Sequence, residues 1–245
     1  MTSNKILAAV LRISARHHAR TPLSRHLDIG PGTGELIALF REYFGVESKA
    51  CDCTLDRMRL PGQEIDLLDL NRDRKLPYPD ADFDVVTGTE LVEHLEDFRG
   101  LIREIHRVLR PGGFCVLSTP NVLNLNSRLR YLWFGFPVLF GPLPVGDRSL
   151  GSTAGHITPV PYFYLAHALL EAGFYSLELE FDKPQRSGLL KLIPLYLPLK
   201  LFSALAWRRE TGKYKTIDEA NAPLVRQVNS RGMLLGRTII LAARK

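Results

Sequence analysis

The sequence predicts an α/β fold, a mostly parallel sheet with helices on both faces. Short apolar runs alternate with helical patterns through the first 120 residues, which is the pattern of successive βα units on a parallel sheet. At 45% apolar residues, the 245-residue chain is rich enough to bury a sizeable core, which excludes intrinsic disorder for most of it.

Each element can be read in turn. The run Ile6 to Leu11, interrupted by Arg12 and followed by the basic stretch Arg16 to Arg20, is too short and wrongly flanked for a secretory leader. It is expected to form a short amphipathic helix. His26 to Gly30 (HLDIG) reads as a buried strand, and a glycine-rich turn leads from it into a helix from about Glu35 to Phe44, whose Leu36, Leu39 and Phe40 mark one face. Further strands are expected at Lys49 to Cys53, Glu64 to Leu68 and Phe83 to Gly88. A helix from about Phe98 to Leu109 stops at Pro111-Gly112-Gly113, and Phe114 to Thr119 forms the next strand.

After Pro120 the alternation is lost. Residues 121–160 mix Gly and Pro with aromatic clusters and read as a cap, not as another βα unit. A helix over Tyr162 to Ala172 and strands at Ser176 to Asp182 and Leu234 to Ala242 follow. The last two strands are too far apart for a tight hairpin. The expected organisation is one domain over 1–245, with its core in 22–182 and 233–245, the cap segment 121–160 and an insertion at 183–232.

The net charge of +6 is unevenly spread. From Arg186 onward there are 12 Lys/Arg and 3 Asp/Glu, a local net of +9, while residues 1–185 carry 20 basic and 23 acidic residues. Leu189 to Trp207 is rich in leucine, but Lys191 and Lys200 interrupt it and Pro194 and Pro198 are expected to break a spanning helix. Two readings stand: peripheral contact of 186–209 with an anionic membrane, or a lid or dimer surface covered by the protein itself. Basic residues interleaved with leucine, without stacking platforms, argue against nucleic acid as partner. The three cysteines, Cys51, Cys53 and Cys115, have no C-x-x-C spacing, so no metal site is expected and a reducing, cytoplasmic compartment fits.

The strongest chemical signal is Leu27-Asp28-Ile29-Gly30-Pro31-Gly32-Thr33-Gly34. Glycine is needed where backbone turns sharply against a ligand, and the helix that follows aims free N–H groups at it. The G-x-G-x-G spacing differs from the G-x-G-x-x-G of pyrophosphate turns. Asp28 would repel a pyrophosphate but suits an ammonium group, and Asp52, 18 residues after Gly34, stands where an acid would accept from a ribose diol. The implied ligand is a nucleoside joined to an amino acid, without phosphates.

The residues that follow carry a resemblance. Leu76-Pro77-Tyr78-Pro79-Asp80-Ala81-Asp82-Phe83-Asp84-Val85-Val86, Glu93-His94-Leu95-Glu96-Asp97 and Glu104-Ile105-His106-Arg107-Val108-Leu109-Arg110-Pro111-Gly112-Gly113 resemble the ordered motifs of class I S-adenosylmethionine-dependent methyltransferases. The likeness spans 26–120. It implies a Rossmann-like seven-stranded sheet, mostly parallel with an antiparallel last strand, and S-adenosyl-L-methionine as cofactor. It further implies that Asp28, Gly30, Gly32 and Gly34 hold the methionine moiety, Asp52 the ribose, and Asp69 with Leu70 the adenine, Asp66 being the alternative acid.

Methyl transfer from a sulfonium needs alignment, and a base if the acceptor is a neutral hydroxyl. His94 and His156 are the candidate bases, each with a structural role as its alternative, and Glu90 and Glu93 are expected as helix-entry carboxylates near the donor, with Glu90 lining the donor site. Ser118 to Asn121, Asn124, Asn126, Ser127 and Arg128, with Gly155 to Pro159, are similar to methyltransferases of bacterial surface-polysaccharide and lipid-linked glycan pathways. The Asn and Arg side chains suit a sugar, and they equally suit loop hydrogen bonds. The expected function is O-methylation of a glycan or lipid-linked acceptor, with peripheral attachment to the inner membrane face. The rivals are methylation of a small hydrophobic acceptor such as a quinone precursor, and an inactive cofactor-binding adaptor.

Overall fold

The structure, a computed structural model, describes residues 3–144 and 155–245. Residues 145–154 of the cap stretch lie outside the described residues.

In chain order the elements are α1 (Asn4–His18), β1 (Arg25–Ile29), α2 (Glu35–Phe44), β2 (Glu47–Asp52), β3 (Asp66–Leu67) and β4 (Phe83–Thr89). A 3-10 turn (Val92–His94), α3 (Phe98–Val108), β5 (Leu109–Pro120), α4 (Leu125–Phe134), α5 (Tyr162–Glu171) and β6 (Tyr175–Phe181) follow. The chain closes with α6 (Arg186–Arg209), α7 (Ala222–Gln227), α8 (Arg231–Leu235) and β7 (Thr238–Arg244). The seven strands form one sheet in the order β3-β2-β1-β4-β5-β7-β6. Pairings from β3 to β5 are parallel, and β7 runs antiparallel to both β5 and β6.

Strand alternation sorts side chains to two faces. In β5, Phe114 and Val116 join α1 and α2 residues such as Ile6, Val10, Ile13, Leu36 and Phe40 on one side. Cys115 and Leu117 face the other, with Ile102 and Ile105 of α3 and Leu165 and Leu169 of α5. In β7, Ile240 and Ala242 go to the first face and Ile239 and Leu241 to the second, as a period of two requires. Arg107 of α3 fastens the loop before β4: its guanidinium donates to Glu104, to Asp80 and to the carbonyls of Leu76 and Tyr78.

The chain runs outward from β1 through β2 to β3 and then returns to β4 on the other side of β1. The crevice beyond the carboxyl ends of β1 and β4 is therefore the place where such a sheet takes a ligand.

Two expectations need correction. The last strand begins at Thr238 and not at Leu234, because Ser230 caps α8 by accepting from the N–H of Met233 and the leucines 234 and 235 pack under α6. Neither Pro194 nor Pro198 ends a helix: both lie inside α6, a continuous helix of 24 residues. A proline in a helix interior removes one hydrogen bond and crowds the carbonyl four residues back. Packing along a single stripe, Gly188, Leu192, Leu195, Leu199, Ser203 and Trp207, holds the helix through that loss. Leu192, Leu195 and Leu199 meet Leu125 and Leu129 of α4 with Leu234 and Leu235, Ser203 accepts from Asn229, and Arg226 lies over the Trp207 ring.

Candidate active site

β1 and β4 place a buried acid at the head of the crevice. Asp28 is 1% exposed, and its carboxylate accepts from the Thr87 hydroxyl at 2.6 Å. Thr87 lies 2.7 Å from Nε2 of His26, whose Nδ1 lies 3.1 Å from the Ser48 hydroxyl. Burial pushes the Asp28 carboxyl up to about 7, the Thr87 hydrogen bond opposes this, and nearby Asp52 adds to it. Burial brings the His26 imidazole down to about 3, so it is neutral. An ammonium group arriving at Asp28 would compensate the charge that burial penalises.

The turn after β1 fits a ligand by its shape. Gly30, Gly32 and Gly34 all have positive φ, +70°, +55° and +83°. A Cβ on Gly32 would meet nothing within 4 Å, so this glycine keeps open the space in front of the turn. A Cβ on Gly34 would stand 2.7 Å from the Met58 sulfur and 2.9 Å from Leu60 Cβ, so this one is needed for packing at the start of α2. Asp52 closes β2, partly exposed, and accepts from the N–H of Thr54. Asp28, the three glycines and Asp52 thus gather at the carboxyl ends of the adjacent strands β1 and β2.

Asp69 stands differently. Its carboxylate pairs with exposed Arg72 at 3.2 Å and accepts from the N–H of Asn71, while Leu70 is half-buried against the core. Asp66, the alternative acid, accepts from the Tyr78 hydroxyl at 2.8 Å.

Beyond β4 the chain takes a strained step at Glu90, a non-glycine residue with φ +51°, whose N–H donates to the carbonyl and hydroxyl of Ser118. The 3-10 turn then sets Glu93 and His94 beside the cap. His94 Nδ1 lies 2.9 Å from the Gly155 carbonyl, His156 Nδ1 lies 3.2 Å from the Leu139 carbonyl, and the two rings stand edge to face with centroids 4.9 Å apart. Burial lowers both imidazoles below their ordinary value. Glu93, expected with Glu90 only as a helix-entry carboxylate near the donor, is fully buried, and among the described residues neither carboxylate oxygen has a hydrogen-bond partner. Burial pushes its carboxyl up to about 8; Thr119 lies beside it, but the two are outside hydrogen-bond geometry. Burial raises Glu90 as well.

Of the two uses open to the polar cap side chains, the structure shows loop bonding. Asn121 donates to the carbonyls of Met233 and Gly236, and Asn124 caps α4. Arg128 donates to Leu123, Val228 and Asn229, and Asn126 bonds Ser187 and Gln185. Asn121 and Asn124 line a cleft with Val138, Leu139, Gln185 and Arg237, which runs between the start of α6 and the carbonyl that holds His156. His26, Ser48 and Thr87, absent from the candidate residues, are the positioning groups for Asp28.

The family described as a methyltransferase domain matches residues 2–179. Over 173 residues the chain is 30% identical to a ubiquinone/menaquinone biosynthesis C-methyltransferase of Desulfotalea psychrophila, a match covering 66% of this chain and 64% of that one. It is 34% identical over 110 residues to a probable S-adenosylmethionine-dependent methyltransferase of Mycobacterium tuberculosis, covering 45% of this chain and 39% of that one. The chain therefore spans less than two thirds of the length of these relatives. Among solved structures, a SAM-dependent methyltransferase from Archaeoglobus fulgidus superposes with a TM-score of 0.60 at 20% identity, over 99% of this chain and 95% of that one, which is a likeness of fold.

Proposed function

Since the chain belongs to the class I S-adenosylmethionine-dependent methyltransferases, the family whose domain matches residues 2–179, we propose that it methylates an oxygen of a lipid-linked acceptor, glycan in class, at the inner face of a membrane. The cofactor, when bound, supplies a methyl group already activated by its sulfonium charge. In this reading Asp28 takes the ammonium end, the turn Gly30, Gly32 and Gly34 lies along the methionine chain, and Asp52 accepts from the ribose hydroxyls. Leu70 flanks the adenine, with Asp69 as the carboxylate at that end, and Glu90 lines the donor side. Alignment of donor and acceptor is the main catalytic contribution of such a site. His94 and His156 stand on the acceptor side, where the hydroxyl proton must be lost.

The observation that carries the acceptor reading is the outer face of α6. Leu190, Ile193, Leu197 and Phe202 are 73%, 72%, 76% and 67% exposed. Beside it the carboxyl end of α4 also exposes Leu132 and Trp133. The most apolar 18 residues within 186–214 have a mean hydropathy of 1.6, and only 6% of them are buried, so by length and composition this helix could cross a bilayer. Its inner stripe, however, is fastened to the domain from Gly188 to Trp207, and spanning would strip those contacts. The helix therefore lies in the membrane surface, with Arg186, Lys200, Arg208 and Arg209 available to anionic headgroups and Lys191, which donates to Asn126, beside them. In this reading the cleft at Gln185 comes within reach of an acceptor whose anchor stays in the bilayer.

A second reading, C-methylation of a quinone precursor, is favoured by the 30% identity to the Desulfotalea psychrophila C-methyltransferase. Incubation with labelled S-adenosylmethionine and either polyprenyl-linked glycan or a demethylated quinone decides between them. Label in the glycan supports the first, label in the quinone the second, and label in neither, with cofactor bound, sinks both.

A further inference from the structure

We propose that Glu93, His94 and His156 form a binding site for a divalent first-row transition-metal cation. The site lies on the acceptor side of the methyltransferase centre, and the proposal rests on that reading only for the use made of the ion.

A carboxylate buried without partners costs several kcal/mol, and such a group calls for a partner the protein itself does not supply. Among the described residues, both oxygens of Glu93 are in this state. Protonation alone would remove the charge and let one oxygen turn to the neighbouring Thr119 hydroxyl, but would leave the other without a partner. A cation satisfies both oxygens and the charge together.

The two imidazoles are prepared for the same ion. Each commits Nδ1 to a main-chain carbonyl, His94 to Gly155 and His156 to Leu139. A neutral ring that donates from Nδ1 keeps a lone pair on Nε2, the arrangement by which outer carbonyls orient metal-binding histidines. One ligand atom from each of the three residues can be chosen so that all lie within 4.8 Å of one another. An ion about 2.0–2.2 Å from each ligand needs pair separations of roughly 3–4.2 Å, so a pair at the 4.8 Å limit closes by roughly 0.6–1.8 Å.

Main-chain bonds hold the geometry. The Glu93 carbonyl accepts from the N–H of Ile157 at 2.9 Å and of Thr158 at 3.0 Å, and the Thr158 hydroxyl donates to the Leu95 carbonyl at 2.6 Å. Gly155 takes φ +74°, and a Cβ there would stand 3.1 Å from His94 Nδ1. The cap and the turn after β4 are thus locked face to face at the three side chains.

The donor set names the ion class. Two imidazoles and one carboxylate suit Zn, Mn, Fe or Co in the divalent state better than Ca or Mg, which prefer oxygen. Three protein ligands leave positions open for water or for an acceptor oxygen, which the ion would polarise.

The test uses the full chain, stripped with chelator and titrated with Co(II), whose visible absorption reports nitrogen ligation. One equivalent per chain is expected, with affinity lowered at least ten-fold in Glu93→Gln and in His156→Ala. S-adenosylhomocysteine binding, followed by calorimetry in the same samples, should survive in both variants. Lack of stoichiometric Co(II) binding by the wild type, or unchanged affinity in His156→Ala, overturns the proposal; should Glu93→Gln fail to fold, the partly exposed His156 decides. Loss of homocysteine-nucleoside binding in the wild type overturns the cofactor reading instead, and leaves the metal result standing.

Discussion

Thr87 Oγ1 stands 2.6 Å from Asp28 Oδ1, directly across the β1–β4 ladder from it. The same hydroxyl faces Nε2 of His26 at 2.7 Å, and His26 is paired across β1–β2 with Ser48. Protons therefore point one way: Ser48 to the imidazole, the imidazole to Thr87, Thr87 to the carboxylate. The acid before the glycine turn is aimed by three buried side chains from three adjacent strands.

Thr87→Val keeps the shape of the site and removes this link. Asp28 loses its donor and His26 its acceptor, so stability in urea should fall by about 1–3 kcal/mol. Affinity for S-adenosylhomocysteine should fall roughly 5- to 20-fold, on the order of 1–2 kcal/mol for one hydrogen bond to a charged group. Calorimetry that shows unchanged affinity would remove Asp28 from the ligand's polar contacts.

The raised Asp28 carboxyl sets a pH dependence. The groups facing it are Thr87 and neutral His26, with the Asp52 charge near enough to raise it further. Its folded value, about 7, exceeds the ordinary 3.8, so between pH 4 and 7 the folded state binds more protons than the unfolded state. Stability of the ligand-free protein should then decline as pH rises through that window, by up to a few kcal/mol. A ligand with an ammonium group selects the ionised acid, so its affinity should climb over the same range and level off above pH 7. Titrations at pH 5.5, 6.5 and 7.5 check this; Asp28→Asn should flatten both trends.

Two glycines of one turn should fail in different ways. Gly34→Ala places a Cβ against Met58 and Leu60 at φ +83°, and should cost about 2 kcal/mol or more of stability. Gly32→Ala meets no protein atom, so it should cost only about 1 kcal/mol for the left-handed backbone. The methyl enters the ligand's space, however, and cofactor binding should be lost from a folded protein. Equal loss of stability in the two variants would mean that the space at Gly32 is filled by the chain.

What the sequence disclosed follows from the range of the forces. Asp28 and the glycines were readable because a strand, a tight turn and a helix start place them within one short stretch, and Asp52 because a single βαβ unit fixes where the second strand ends. His26, Ser48 and Thr87 were not, because only strand register brings them together. Glu93 and His156 are 63 residues apart and meet only when the cap folds over the turn after β4. Leu234 and Leu235 read as strand by apolarity alone, whereas the Ser230 cap and burial under α6 make them helical. The prolines of α6 show tertiary packing outweighing local propensity.

The two faces of α6 can be separated by substitution. Leu190, Ile193 and Leu197 point outward, while Leu192 is 8% exposed against Leu125, Leu234 and Leu235. If the outer face enters an anionic membrane, Leu190→Glu with Leu197→Glu removes two apolar anchors and adds two repelled charges. Binding to phosphatidylglycerol vesicles should drop at least ten-fold with melting temperature unchanged, since both side chains are about three-quarters exposed, 73% and 76%. Leu192→Ala should do the opposite, costing about 2–4 kcal/mol through a cavity while the folded protein still binds vesicles. Raising salt should weaken the wild type by screening Arg186, Lys191, Lys200, Arg208 and Arg209, yet leave residual binding from the leucines. Vesicle flotation identical for wild type and the double glutamate variant would assign the outer face to something other than lipid. A concentration-dependent dimer lost in that variant would identify a second copy as its cover.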